Sequence, residues 1–380
     1  MKIKEIKPCI SNINGRNYVF VKVITDEGIH GTGEAYSVGP DLATVEVIND
    51  FGEWLAGEDP SNIEYLWAKM YNFSRFPGGS VINAAISGIE LALWDIAGKA
   101  AGMPVYKLLG GSTRKRILVY GKPDAGSLEK TVEKAHKMIS EYGYSAIKVS
   151  VLNSDFEKLP FNRALRYVEA KMEKLRKELG DELEIGVDVH ARVFEPVRTL
   201  EIAEVLKPYR PYFIEEPIRP ENIQQMARVA EKIGSPLATG ECLYTKYQFN
   251  DLIKCNAADI IQPDICLAGG LLEMRKISAI AEANYIKVAP HNPLSPLSTI
   301  INAHFAATIP NFLILEHQLD DMLPRSSILS EISQVKDGYI DLPERPGWGV
   351  ELNEDFLAKH PYKRWHRDFN TLPDGSAAFV

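Results

Sequence analysis

Pro211-Tyr212-Phe213-Ile214-Glu215-Glu216-Pro217 is an apolar run that ends on two carboxylates and a proline. Runs of the same kind stand at residues 117–120, 146–149, 184–189, 236–240, 259–263, 286–289 and 312–315. With 211–215 they make eight, separated by amphipathic stretches of helical period. Strands alternating with helices predict repeated βα units around a parallel sheet. Eight such units predict a (β/α)8-type, modified TIM barrel, whose active site lies where the C-terminal ends of the strands converge.

Working outward, Tyr18 to Thr25 alternates as a strand, stops at Asp26-Glu27-Gly28 and resumes at Ile29, which predicts an antiparallel meander over the first 36 residues. Helical periodicity follows at 42–56, 60–73 and 80–101, the last carrying Ile82, Ile86, Ile89, Leu93 and Ile96 before Gly102-Met103-Pro104 ends it. Residues 1–114 therefore read as an α+β capping domain and 115–320 as the barrel. Residues 321–380, rich in Pro, Gly and aromatics, are too few for a third domain and are expected to return to the cap.

The chain of 380 residues is 45% apolar and 25% charged, enough to bury a large core. Its 51 acidic and 43 basic residues leave a net charge of -8, which offers no footprint for nucleic acid or an anionic membrane. No window approaches the roughly 18 uninterrupted apolar residues of a membrane span, and the cytoplasm is the expected location. Cys9, Cys242, Cys255 and Cys266 lack metal-finger or redox spacing and are expected to be small buried hydrophobes.

At or just beyond the strand ends stand Lys148, Asp188, Glu215, Glu241, Asp264, His291 and Glu316, each about one βα unit from the next. All seven should point into one mouth. Asp188, Glu215 and Glu241 lie on consecutive strands, and three carboxylates in a partly desolvated site repel one another unless a cation neutralises them. Oxygen ligands without Cys or paired His favour Mg²⁺, with Mn²⁺ able to substitute. Glu216, on the opposite side of the strand from Glu215, is the alternative ligand. His291 and Asp264, at neighbouring strand ends, form a pair in which the carboxylate can fix the imidazole tautomer.

The chain resembles the enolase superfamily, mandelate racemase type, over nearly its whole length. The likeness is carried by Val105-Tyr106-Lys107-Leu108-Leu109-Gly110-Gly111, Val187-Asp188, Phe213-Ile214-Glu215-Glu216-Pro217, Gly240-Glu241, Gln262-Pro263-Asp264 and Pro290-His291-Asn292-Pro293 in that order. Within the group it is most similar to acid-sugar dehydratases of the galactonate dehydratase type, because Asp188-Val189-His190-Ala191-Arg192 resembles their third-strand motif. Such sites use a Lys or His base with one or two Mg²⁺ ions.

The resemblance implies dehydration of an aldonate to a 2-keto-3-deoxy acid. His291 with Asp264 would take the C2 proton, and His190 would protonate the departing 3-hydroxyl. Glu316 would hydrogen-bond the far carboxylate oxygen of the substrate, and Lys148 would add positive charge nearby. Where racemases of this type place a second lysine, Lys148-Val149-Ser150 offers a serine, which argues against a Lys-plus-His racemase. Two other readings use the same residues: a C2 epimerase with both histidines as bases, and a non-catalytic sugar-acid-binding barrel.

Arg192 and Lys122 are candidate contacts to the substrate. In the cap, Asn17 in the loop 12–17 and Arg75 in the turn 74–79 are candidates for closing over its distal end. A homo-oligomer is expected, with the aromatic tail from Tyr362 to Phe379 available for packing. His30, His136, His304, His317, His360 and His366 are set aside as packed or solvated, and Gly31-Thr32-Gly33 lacks the third glycine of a dinucleotide site.

Overall fold

The structure is a computed structural model that describes residues 1–73, 75–319, 322–366 and 370–378. Ser74 and Phe379, named above in the cap turn and the tail, lie outside the described residues. The cap begins with an antiparallel sheet of β1 (Ile3–Ile13), β2 (Arg16–Thr25) and β3 (His30–Ala35) in that order. Asn14 and Gly15 connect β1 to β2 with φ of 53° and 81°. Positive φ at both central residues suits the right-handed twist of the flanking strands, so the expected polar loop 12–17 is instead a tight hairpin.

Helices α1 (Asp41–Leu55), α2 (Ile63–Phe73) and α3 (Ser80–Ala101) cover one face of that sheet, followed by the single turn α4 (Val105–Leu108). Helix α3 is long and apolar enough to cross a membrane by length and composition, although Glu90, Asp95 and Lys99 interrupt its apolar run. Its apolar surface is instead buried against β2, β3 and α1. Gly102, at φ 65°, closes the helix with its N–H on the carbonyls of Gly98 and Lys99.

The barrel then alternates through β4 (Arg116–Gly121), α5 (Leu128–Tyr142), β5 (Ala146–Ser150), α6 (Phe161–Leu179), β6 (Glu184–Asp188) and α7 (Pro196–Leu206). It continues with β7 (Ile214–Glu215), α8 (Ile223–Ala230), β8 (Leu237–Thr239), α9 (Thr245–Lys254) and β9 (Ile260–Ile261). Finally come α10 (Leu271–Ala283), β10 (Lys287–Val288), α11 (Pro296–Thr308) and β11 (Leu315–His317). All neighbouring strands pair in parallel, β11 pairs with β4, and a bridge between Val288 and Phe312 closes the ring. The last strand thus reaches two residues beyond the expected 312–315, to His317.

Period-two alternation stacks the barrel interior in layers. Tyr120, Ala146, Phe213, Ala238, Ile260, Ala289 and Ile314 form an apolar floor. Two residues farther along their strands stand Lys148, Glu215, Gln262, His291 and Glu316, so the ionisable layer rests on a packed one. Gly186 is glycine because a Cβ there would lie 2.7 Å from the Phe213 ring that fills the floor.

No helix of comparable length follows β11 among the described residues. The tail instead adds β12 (Tyr339–Asp341) antiparallel to β4, then sets α12 (Glu354–Ala358) against β1 in the cap. The Asn12 N–H donates to the His360 carbonyl, and Trp348 buries fully with its Nε1 on the Thr32 carbonyl. The tail therefore touches both barrel and cap, where only the cap was expected. Of the cysteines only Cys266 is buried: Cys9 and Cys242 are exposed and Cys255 is intermediate, so the expectation of four buried thiols is corrected.

Candidate active site

Lys148 projects from β5 into the barrel mouth, almost fully buried, with Nζ in contact with Glu215 and within 3.6 Å of Asp188 and 3.5 Å of Glu316. Desolvation disfavours its charge, but Glu215, Glu316 and Asp188 outweigh that and hold the ammonium ion well above its ordinary pKa. Glu215 also accepts from Gln262 Nε2 at 2.5 Å. Lys122, just past β4, stands 3.9 Å from Asp188.

His291 Nδ1 lies 2.9 Å from Asp264 Oδ2, and its Nε2 faces Glu241 at 3.4 Å and Glu316 at 4.0 Å. Burial opposes protonation, but Glu241, Asp264 and Glu316 push the imidazole up to about 9. Beyond β6 the backbone turns through His190 and Ala191 at φ of 55° and 54°. That turn sets the His190 N–H on Asp188 Oδ1 at 2.8 Å and brings Nδ1 within 3.5 Å of Ser150 Oγ. Desolvation in the mouth and the nearby Lys122 hold His190 down at about 4.

The structure therefore gathers Lys148, Asp188, His190, Glu215, Glu241, Asp264, His291, Glu316 and Lys122 into one strand-end cluster. Glu216 points away from Lys148: its Oε1 accepts from Thr239 Oγ1 and the Gly240 N–H. Burial, with Glu241 close by, pushes Glu216 up to about 8.

Glu316 is held from several sides. Desolvation notwithstanding, Lys148, His291 and Lys122 hold it ionised, and Oε2 accepts the Asn292 N–H at 3.0 Å. It holds Lys148 and the loop after His291.

Of the four candidate substrate contacts, only Lys122 keeps its charge at the cluster. Arg192 lines a cavity of about 950 Å³ at the mouth, but its guanidinium is held by Glu157 at 2.6 and 2.7 Å. Asn17 lines a second cavity of about 630 Å³, yet its amide is committed to Asp41, Asn12 and the Lys363 carbonyl. Arg75 is exposed over the Phe76 ring and lines neither cavity.

Residues the sequence reading passed over also line the site. Gln262 precedes Asp264 by two residues and so shares its face, a period-two signal that was available. Tyr36, at the end of the cap sheet, lies with its ring 6.0 Å from that of His291, a contact no local pattern announces.

The donor set fits a hard divalent cation. Asp188 Oδ2 is buried without a well-directed hydrogen bond, although His190 Nε2 stands 3.1 Å away. Five carboxylates, those of Asp188, Glu215, Glu241, Asp264 and Glu316, surround only two lysines. Among the described residues no three His, Cys, Asp or Glu side chains converge as a closed metal cage, because Lys148 sits among the acids and Glu241 leans toward His291.

Residues 2–110 match the mandelate racemase / muconate lactonizing enzyme N-terminal domain, and residues 130–356 match the enolase C-terminal domain-like family. D-galactonate dehydratase of Pectobacterium atrosepticum is 32% identical over 369 residues, covering 95% of this chain and 96% of that protein. D-xylonate dehydratase of Haloferax volcanii is 35% identical over 355 residues, 90% and 85% of the two chains. An enolase from Agrobacterium radiobacter, solved with sodium and L-malate and carrying the provisional name galactarate dehydratase, is 38% identical. It superposes with a TM-score of 0.96 over 100% of both chains. The chain belongs to the enolase superfamily, in the mandelate racemase and muconate lactonizing enzyme group that it shares with these sugar-acid dehydratases, which are hydro-lyases.

Proposed function

We propose that the protein dehydrates a sugar acid to the corresponding 2-keto-3-deoxy acid. The observation that carries this reading is the pair of histidines at one strand-end layer, one braced by Asp264 and the other beside Ser150. The names of the curated relatives support the reaction class.

With its Nδ1–H donated to Asp264, His291 presents Nε2 to the mouth as the base for the proton α to the carboxylate. Lys148 and Lys122 place positive charge where negative charge develops on the substrate carboxylate. His190 stands ready to protonate the departing 3-hydroxyl. Desolvation, more than the field of Lys122, holds its pKa low in the free site, and an anionic substrate would offset the Lys122 part. Glu316 positions Lys148, and Gln262 positions Glu215.

Asp188, Glu215 and Glu241 would hold the Mg²⁺ ion, or Mn²⁺ in its place. Such an ion, when bound, supplies the charge that stabilises an ene-diolate.

The test is a panel of stereoisomeric five- and six-carbon sugar acids, assayed with Mg²⁺ and with EDTA, detecting 2-keto acid as its semicarbazone. Metal-dependent keto acid from a subset of the panel is the expected result. Inversion at C2 with no keto acid would replace dehydration by epimerisation.

A further inference from the structure

Glu90 lies in the middle of α3 and is fully buried. A carboxylate taken out of water is tolerated only where donors meet it, and Glu90 finds them across the seam between cap and barrel. Its Oε2 accepts the Leu271 N–H at 2.8 Å, and its Oε1 accepts the Leu272 N–H at 3.0 Å and the Trp94 indole N–H at 2.8 Å. Leu271 and Leu272 open α10, where the first N–H groups have no partner within the helix and favour negative charge. Gly270, at φ 87°, allows so close an approach, since a Cβ there would collide with Glu90 Oε2.

The segment held in this way begins at Asp264. The Asp264 carbonyl accepts the N–H groups of Leu267 and Ala268, and Oδ1 accepts the Cys266 N–H at 2.8 Å, while Oδ2 faces His291. At its near end the turn is tied to the cap by the Tyr36 N–H on the Cys266 carbonyl at 2.9 Å. At its far end Ser87 Oγ of α3 accepts the Gly269 N–H at 2.9 Å, and the Trp67 indole of α2 donates to the Gly269 carbonyl at 2.8 Å. From the barrel the turn receives the Thr245 N–H on the Ala268 carbonyl and the contact of Cys266 Sγ with Ser298 Oγ. The neighbouring helix is held likewise: Glu34 of β3 accepts the Ser295 N–H and hydroxyl, and Ser295 caps α11 just after the loop that bears His291.

We propose that Glu90 is a positioning residue for proton abstraction: through the N-terminus of α10 it fastens the loop that carries Asp264, so that the cap sets how Asp264 meets His291. This deepens the dehydratase reading and rests on its assignment of His291 as the base. A small misplacement of a reacting group is enough to slow the chemical step severely.

In Glu90→Gln an amide N–H₂ replaces one oxygen and faces a backbone N–H, so one bond to α10 is lost while the shape is kept. Asp95 supplies the control, being an equally buried carboxylate of α3 that binds the Thr32 and Trp348 N–H groups and not this loop. With a sugar acid that the wild type turns over, Glu90→Gln should lower kcat about tenfold to a hundredfold while KM changes less than about threefold. Asp95→Asn should lose stability yet keep kcat within about twofold. In an Asp264→Asn background, Glu90→Gln should cost less than about twofold further, because the group it positions is gone. Amide hydrogen exchange of the Mg²⁺-loaded protein, read by mass spectrometry, should quicken over residues 265–268 in Glu90→Gln and not in Asp95→Asn.

A wild-type kcat in Glu90→Gln, an equal loss in Asp95→Asn, or the full loss persisting in the Asp264→Asn background overturns the role of Glu90 while leaving dehydration standing. If Glu90→Gln does not fold, Ser87→Ala, which removes only the acceptor of the Gly269 N–H, is held to the same comparisons. If no acid yields keto acid or exchanges its C2 proton, the dehydratase reading itself fails and amide exchange decides. Quickening confined to Glu90→Gln then supports the mount, and exchange that is unchanged or equal in both variants overturns it.

Discussion

His291 Nδ1 and Asp264 Oδ2 stand 2.9 Å apart, joining the loops that follow β10 and β9. The bond fixes which imidazole nitrogen is free to take a proton. His291→Asn should therefore lower kcat by about 10²–10⁴-fold, the usual contribution of a general base, while calorimetry shows Mg²⁺ binding retained. Residual activity above a tenth of wild type would remove His291 as the base.

His190 occupies a different station, beside Ser150 and Asp188. His190→Asn should still exchange the C2 proton of the substrate in D₂O, followed by NMR, while forming little keto acid. Loss of exchange together with dehydration would count against a separate acid.

Removal of metal should abolish turnover. Five carboxylates crowd two lysines at the mouth, so Mg²⁺ should also raise the thermal midpoint of the protein, and Glu241→Gln should reduce that gain. A midpoint indifferent to Mg²⁺ and EDTA would argue against a cation at this site.

Glu34 ties the cap to the barrel by accepting from the Ser295 hydroxyl and N–H, in a fully buried position. Burial, partly offset by Ser295 and by Arg325 and Arg16, pushes it up from 4.5 to about 7. The folded protein holds this proton more tightly than the unfolded chain, so its stability falls as pH rises from about 4.5 through 7, by up to about 3 kcal/mol. Denaturation midpoints measured from pH 5 to 8 should decline in the wild type and decline less in Glu34→Gln. An identical pH dependence in the two proteins would refute the assignment.

Gly186 has no room for a methyl group beside Phe213. Gly186→Ala should cost about 1–3 kcal/mol in urea denaturation through overpacking of the barrel floor. Adding Phe213→Leu should restore part of that loss.

Much of the site was legible because strand periodicity is local. Each acid ends an apolar run, and the spacing of the runs matches one βα unit, so Asp188, Glu215, Glu241, Asp264, His291 and Glu316 could be placed at one face without coordinates. What was not legible depends on the reach of side chains between distant segments. Asn17 looked available in a polar loop, yet Asp41 and the carbonyl of Lys363 claim its amide. Arg192 follows the Asp188-Val189-His190 motif, yet Glu157 from the preceding βα loop holds it. The state of Glu316 depends on the summed field of Lys148, His291 and Lys122, which no single segment encodes.

The sequence by itself determined the order of elements, the barrel with its cap, and the ring of ionisable strand ends. These follow from period-two and helical patterning and from the length of a βα unit, all properties of short stretches of chain. Only the tertiary structure decided which carboxylates Lys148 meets, that the tail pairs with β4 as well as with the cap, and that Arg16 lines a cavity shared with Glu241. Those outcomes arise where segments far apart in the chain compete for the same volume and the same charge, and that competition is settled only when the fold closes.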